Sequence, residues 1–393
     1  MKKTVRDFDV EGKKVLVRVD FNVPTDDLGE ITNDVRIRGA LPTIRYLLEH
    51  HAAVILTSHF GRPKGKVNEK YRLNKIAERL RELLGIPVAY CREFVGTTAK
   101  QAAIALKPGE VLLLENSRFN PGEELNDEAL SKELASYADL FINDAFGAAH
   151  RAHATTVGVA KYLPSGAGLL MEKELHYLGM ALDQPKHPFI AVIGGAKVSD
   201  KIAVLMNLID KVDALIIGGG MANTFLLAKG IDMGSSLVES DKVEVAREIM
   251  AKAVEKKVAL LLPQDLVVAT ALSADAASRI VAPNEIGEKE MALDIGPLTL
   301  ASYSQVLANA GTVIWNGPMG VFEIEKFSAG TFGIAKAIAE SKAISIIGGG
   351  DSAAAVEKAG FADAMTHIST GGGAALEFLE GKTLPGVACL TDR

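Results

Sequence analysis

The chain has 393 residues, of which 48% are hydrophobic and 23% charged. That balance excludes a disordered chain, and the length suits about two or three domains. A formal net charge of −6 argues against nucleic acid as a partner, because that role needs a basic face. Cys91 and Cys389 lie far apart, without metal-type spacing or a disulfide framework, so a reducing cytoplasmic setting is expected. Lys2 and Lys3 precede no apolar stretch, and no run approaches the ~18 apolar residues of a membrane span. Neither a signal peptide nor a membrane partner is expected.

In chain order, short Val/Ile/Leu-rich runs fall at 14–19, 53–57, 111–114 and 140–142. In the second half they fall at 189–193, 214–217, 259–262, 312–315 and 344–347. They show little polar alternation, which predicts strands buried on both faces of a parallel sheet. The segments between them read as helices. One spans 74–84 and stops at Gly85 and Pro87; another spans 199–209 with Ser199 as its N-cap. The run 164–168 is a breaker cluster and predicts a domain boundary, followed by a helix at 171–182 that Pro185 closes. The pattern is that of an α/β fold with two domains joined by a helix.

Ligands of open parallel sheets bind beyond the carboxyl ends of the strands. In the first half those positions are polar and basic. Asp20 and Asn22 follow the first run, Ser58, His59 and Arg62 the second, Arg118 the third, and Asn143, Asp144, His150, Arg151 and His153 the fourth. Arg36 and Arg38 follow the first loop. A single such arginine is as well explained by loop solvation. Recurrence at successive strand ends points to a small, multiply anionic ligand. His150 and His153 lack a metal-site pattern.

In the second half the strands lead into glycines: Gly194–Gly195, Gly218–Gly220, Gly317, Gly348–Gly350 and, further on, Gly371–Gly373. Glycine lets backbone N–H groups approach an anion, and helix N-termini add a positive dipole end. Lys201 falls in the predicted first helical turn, where a cation opposes the dipole unless phosphate is bound. Asp351 follows a glycine triplet, as an N-cap, a Mg²⁺ ligand or both. The formal GxGxxA match at 348–353 lacks the acid about 20 residues later that a dinucleotide site needs. Residues 381–383 end like a P-loop, but Leu376 stands where its upstream glycine belongs.

Taken together, RVDFNVP (18–24), TSHFGRP (57–63), LLENSRF (113–119), FGAAHRAHAT (146–155), GGAKVSDKI (194–202), IIGGGMANTFL (216–226), WNGPMGVFE (315–323), GGGDSAAA (348–355) and STGGGAALEFLEGK (369–382) carry a resemblance to the phosphoglycerate kinase family. The motifs span nearly the whole chain in one order. The resemblance implies two Rossmann-like three-layer domains with parallel sheets and a hinge helix. The first would be 1–170, with 374–393 packing back on it; the linking helix would be 171–185 and the second domain 186–373. It also implies a monomer.

By the same resemblance, 3-phosphoglycerate or 1,3-bisphosphoglycerate would bind the first domain. Asp20 and Asn22 would meet its hydroxyl and carboxylate region, and Arg36, His59, Arg62, Arg118 and Arg151 its anionic groups. ATP or ADP with Mg²⁺ would bind the second domain. Lys197 and Lys201 would contact phosphates with Asn316 nearby, Asp351 the metal and Glu323 the ribose. Gly218, Gly219, Leu293, Pro318 and Val321 would shape the nucleoside pocket. Gly349, Gly350, Ser352, Gly371 and Gly372 would offer backbone or hydroxyl donors, the last two glycines at the reacting group. Ala292 stands where the family usually has glycine, and its methyl bears on the adenine pocket.

The implied reaction is 1,3-bisphosphoglycerate + ADP ⇌ 3-phosphoglycerate + ATP. The acceptor carboxylate is already ionised near neutral pH, so no general base is required. Arg36 and Lys197 would act on the transferring phosphoryl group, Lys201 and Mg²⁺ on the nucleotide, and domain closure would exclude water. Another small-molecule kinase on the same scaffold, a nicotinamide-dependent dehydrogenase and a non-catalytic nucleotide binder remain the alternatives. Acceptor choice separates the first, and the missing acidic ribose partner argues against the second.

Overall fold

The structure, a computed structural model, describes residues 2–393. Its strands in chain order are β1 (Lys14–Arg18), β2 (Ala53–Thr57), β3 (Val88–Tyr90), β4 (Val111–Leu113), β5 (Leu140–Asn143), β6 (Ser165–Ala167), β7 (Phe189–Ile193), β8 (Ala214–Ile217), β9 (Ala259–Leu261), β10 (Leu266–Ala269), β11 (Ser278–Val281), β12 (Met291–Ile295), β13 (Thr312–Asn316), β14 (Ile344–Gly348) and β15 (His367–Ile368). The chain divides into two compact units. One runs to His176 and includes Thr383–Arg393; the other is Tyr177–Lys382.

The first unit holds a six-stranded sheet in the order β3-β4-β2-β1-β5-β6, parallel throughout. Val15, Val17, Val54 and Leu56 from its central strands pack with Ile37, Ile44 and Leu47 of the helix Val35–Glu49. Each such fully buried aliphatic side chain contributes about 1.5–3 kcal/mol. The second unit holds a parallel six-stranded sheet in the order β15-β14-β13-β7-β8-β9. Val192, Ile216, Trp315 and Ile347 form its core with Tyr303 and Ile334. Strands buried on both faces leave only their ends for chemistry, which is why the sites lie in the loops.

Four expectations are revised. The breaker cluster is strand β6, paired parallel with β5. Its small residues serve close packing: a Cβ on Gly166 would stand 2.6 Å from the Phe8 ring, and one on Gly168 only 2.1 Å from Asp144 Oδ1. Ser199 caps no helix, because its hydroxyl donates to Glu239 Oε1 at 2.5 Å. The helix there runs Ile202–Leu208, with Lys201 at the N-cap position. Asp351 is likewise not an N-cap. Gly349, at φ +91°, holds that place for the helix Gly350–Lys358, and Asp351 sits in its first turn.

The fourth revision concerns the unit boundaries. The joining helix is Leu169–Asp183, and the division between units falls within it, at 176/177. Residues 374–382 group with the second unit, because Asn207 Nδ2 donates to Leu379 O at 2.7 Å and holds the helix Gly373–Leu379. The segment from 383 onward groups with the first: Asn143 Nδ2 donates to Gly386 O at 3.0 Å and Lys3 N to Thr391 O at 2.8 Å. The second unit also holds an antiparallel sheet, β11-β10-β12, that the apolar runs did not foreshadow.

Candidate active site

In the first unit, Arg18 ends β1 and Asp20 and Asn22 follow it. Arg36 Nη1 donates to Asp20 Oδ2 at 3.2 Å and to Asn22 O at 3.0 Å. Asn22 Oδ1 accepts from Gly61 N at 2.9 Å, tying the loop after β1 to the loop after β2. Gly61 has φ +61°, and a Cβ there would meet the Tyr71 ring at 2.4 Å, so no larger residue fits. The Asn116 side chain braces the next loop: Nδ2 donates to Phe60 O at 2.7 Å, and Oδ1 accepts from Phe60 N and Arg118 N, both at 3.1 Å. Arg118 is buried, and its Nη1 donates to Gly61 O at 2.9 Å. Asp20, Asn22, Arg36, His59 and Arg118 are thus linked through the loops beyond β1, β2 and β4. Arg62 and Arg151 are exposed, Arg151 beside His150 Nε2 at 3.2 Å.

His59 and His153 carry little charge. Burial, and then the Arg18 guanidinium, hold the His59 imidazolium well below its usual range. The same causes push His153 down to about 4. Positive charge therefore comes from the arginines. Two members escape a sequence reading. Arg18 is 1% exposed, with Nε donating to Thr155 Oγ1 at 2.8 Å, and Glu123 is fully buried beneath it, accepting from Thr155 N at 3.0 Å. The available signal was a cation inside an apolar run, Val17-Arg18-Val19, which is costly unless paired.

In the second unit a cavity of about 510 Å³ opens among the loops after β7, β8 and β13. Gly219, Leu293, Pro318, Val321, Glu323 and Asp351 line it. Its apolar wall comes from the unforeseen antiparallel sheet, through Leu266, Met291, Ala292 and Leu293. Ala292 also packs toward Leu226, Met233 and Val268, and its N–H donates to Ser236 Oγ at 2.9 Å. Buried Asp294 braces the floor: Oδ2 accepts from Gly330 N at 2.7 Å and Oδ1 from Ile295 N at 2.9 Å.

Several expected residues do not line this cavity: Gly218, Asn316, Lys197, Lys201, Gly349, Gly350, Ser352, Gly371 and Gly372. Part of this set forms a polar cluster. Lys201 Nζ donates to Asn316 Oδ1. Burial lowers the Lys201 pKa, while Asp200, Asp351 and Glu380 oppose that shift. Gly317 N donates to Ser352 Oγ at 2.6 Å, and Gly349 lies against the Asn316 side chain. Asp351 both lines the cavity and feels Lys201. Gly218 is buried, with its Cα facing the Met319 sulfur, so it is a packing glycine. Gly371 N donates to Ser369 Oγ at 3.1 Å, and Gly372 is the N-cap of the helix Gly373–Leu379. Lys197 is exposed.

Glycine here has a second use. A Cβ on Gly219, at φ +68°, would lie 2.6 Å from Gly195 O, and one on Gly194 would lie 2.1 Å from Pro318 O. The three loops nest backbone against backbone, which no side chain would permit. Among the described residues no group of three or more His, Cys, Asp or Glu side chains could cage a metal.

The whole chain is similar to known proteins. The family model described as phosphoglycerate kinase matches residues 5–382. A phosphoglycerate kinase of Chloroflexus aurantiacus is 61% identical over 396 residues, covering 100% of this chain and 99% of the relative. One from Moorella thermoacetica is 59% identical over 392 residues, covering 100% of both. The solved phosphoglycerate kinase of Coxiella burnetii superimposes with a TM-score of 0.92 at 45% identity, covering 99% of this chain and 98% of that one. That of Pyrococcus horikoshii gives 0.86 at 37% identity over the same shares. With the parallel sheets, the arginine edge and the glycine-walled cavity in place, these matches show that the chain belongs to the phosphoglycerate kinase family.

Proposed function

We propose that this chain performs the family's reaction, the reversible, Mg²⁺-dependent transfer of a phosphoryl group from 1,3-bisphosphoglycerate to ADP, as a cytoplasmic monomer of glycolysis. It is an enzyme, a phosphotransferase with a carboxyl acceptor. The observation that carries the residue assignment is the cavity of the second unit. It runs from an apolar wall at Leu293 and Val321 to Asp351, whose charge acts on Lys201. That polarity suits a nucleoside at one end and phosphates at the other.

The nucleoside lies against Leu293, Pro318 and Val321, with Glu323 at the ribose. Lys201, oriented by Asn316, meets the phosphates, together with backbone N–H groups of Gly349, Gly350, Gly371 and Gly372 and the Ser352 hydroxyl. Asp351 is exposed and stands without a carboxylate cage, which fits a Mg²⁺ ion that completes its shell with phosphate oxygens and water. When bound, Mg²⁺ neutralises charge on those oxygens.

The acceptor binds the first unit. Asp20 and Asn22 take its hydroxyl and carboxylate region. Arg62, Arg118 and Arg151 take its phosphate with His59, and Arg36 meets the transferring phosphoryl group with Lys197. Since the attacking carboxylate is ionised, positioning and charge neutralisation suffice without a general base. An acyl phosphate hydrolyses if water reaches it, so both ligands together drive closure of the two units. Small-angle scattering with both ligands present checks this, and an unchanged radius of gyration would count against closure.

The deciding experiment is ATP-dependent phosphorylation of 3-phosphoglycerate with Mg²⁺, coupled to glyceraldehyde-3-phosphate dehydrogenase and followed by NADH loss. Turnover requiring both 3-phosphoglycerate and Mg²⁺ is expected. Nucleotide binding without turnover would move the doubt to the acceptor edge.

A further inference from the structure

Arg18 is the largest charged side chain sealed inside the first unit, at 1% exposure, and it touches the arginine edge through one residue. Its Nη2 lies 2.9 Å from His59 Nδ1. A guanidinium can only donate, so Nδ1 must be the unprotonated, accepting nitrogen. The ring's proton then sits on Nε2, which has no protein partner among the described residues. We infer that Arg18 is a positioning residue that locks His59 as the neutral Nε2–H tautomer, so that His59 acts toward an anionic ligand as a fixed hydrogen-bond donor rather than as a cation. The substrate role of His59 rests on the function proposed above; the tautomer does not.

The rest of the packing supports the lock. Arg18 Nε donates to Thr155 Oγ1 at 2.8 Å, and Nη1 donates to Val19 O. Thr155 in turn rests on buried Glu123, which also accepts from Ser117 Oγ at 3.2 Å. The guanidinium is therefore held from two sides with its remaining edge aimed at His59. The charged and titratable groups acting on His59 are Arg18 from β1, Arg36 from the helix Val35–Glu49, Arg118 from the loop after β4, and His153. All of them disfavour a second proton on the ring. Glu123 and Asp20 act on Arg18, where they favour its charged form against burial.

This arrangement has a functional consequence. A site that used a histidinium would lose affinity for its ligand as pH rose through the ordinary histidine range. A neutral donor fixed by Arg18 keeps its hydrogen bond throughout that range.

The test is nitrogen NMR of the full-length protein with ¹⁵N-labelled histidine, the ring signals being assigned by their loss in His59→Gln. The expected result is a His59 ring with a pyridine-like Nδ1 and a protonated Nε2, unchanged from pH 8 to about 5.5. Arg18→Gln should return the ring to tautomer exchange, move its titration upward toward the ordinary histidine range while burial and the other arginines still hold it down, and make the KM for 3-phosphoglycerate rise with pH. Thr155→Val, which removes the acceptor of Arg18 Nε together with the hydroxyl donor to Glu123, should give a partial form of the same change. A proton on Nδ1, or a doubly protonated ring at pH 7 with or without 3-phosphoglycerate, would overturn the inference. The wild-type spectrum alone separates these outcomes if Arg18→Gln fails to fold. If 3-phosphoglycerate moves no ring signal while the tautomer is as stated, the substrate assignment fails and the positioning role of Arg18 stands.

Discussion

The two units present different chemistry to an anion. In the first, the expected contacts are side chains, several of them braced: Arg36 on Asp20, Asn22 by the Gly61 backbone N–H, and the Arg118 backbone by Asn116. In the second, the expected contacts are largely backbone, offered by glycine loops that nest too closely for side chains, with one lysine and one carboxylate added. Charged side chains give reach and bidentate geometry, which suits a small ligand carrying charge at both ends. Backbone N–H groups and helix ends give a rigid cradle whose affinity tolerates exchange of the bound phosphate chain. The first site is therefore sensitive to side-chain charge, and the second to loop shape and to the Lys201–Asp351 pair.

The largest test of this contrast is to remove one charge from each side. Arg36→Ala and Lys201→Ala should each lower kcat by at least ~10²-fold, the scale of one lost transition-state contact. Near-normal turnover in either variant removes that residue from the reaction. Next, Asp351→Asn should raise the KM for Mg-nucleotide by roughly tenfold while leaving the KM for 3-phosphoglycerate within about twofold. If titration with Mg²⁺ at fixed nucleotide shows no weakening, Asp351 is not the metal ligand.

A smaller effect concerns stability. Burial pushes the Asp144 carboxyl up to about 7 from the usual 3.8, and burial likewise pushes Asp294 to about 7. For an acid whose folded pKa is raised, the native chain holds a proton that the unfolded chain has lost. Each group therefore lowers stability as pH rises between about 4 and 7, by up to ~1.4 kcal/mol per pH unit. Asp144 Oδ1 accepts from Leu170 N at 2.9 Å and Met171 N at 3.2 Å, bonds an asparagine oxygen can also accept. Asp144→Asn should flatten the fall in thermal midpoint over that window without changing nucleotide KM. Asp294→Asn should flatten it too, but should also change nucleotide KM, because Asp294 lines the cavity. Equal effects of both variants on nucleotide KM would erase the distinction. The smallest effect belongs to Ala292→Gly. Ala292 packs partly into the aliphatic cluster around Val268, so nucleotide KM should change by less than about threefold, and backbone freedom should cost about 1 kcal/mol of stability.

Much of the architecture was legible because a strand buried on both faces has a composition unlike any loop. Short apolar runs marked β1, β2, β4, β5, β7, β8, β9, β13 and β14, and the polar and glycine-rich residues just beyond them marked the loops that carry the candidate sites. The strands that escaped notice had reasons to do so. β6 is built from Ser, Gly and Ala because Phe8 and Lys3 press on it, and that composition is also the composition of a turn. β15 has two residues. The apolar wall of the cavity is an antiparallel sheet whose strand β11 is largely exposed and whose sequence lacks a clean alternation.

Local sequence by itself determined the fold class, the division into a basic half and a glycine-rich half, and the family, since each depends on residue type at a known position along the chain. The tertiary structure decided what depends on neighbours remote in sequence. It showed that Ser199 serves Glu239 rather than a helix, and that residues 374–382 stay with the second unit through Asn207. It also showed that several glycines are there to let loops touch, and that buried Arg18, bonded to Thr155 above Glu123, reaches His59. Burial and hydrogen-bond partnership are properties of a packed environment, and a residue's charge, tautomer and role follow from them.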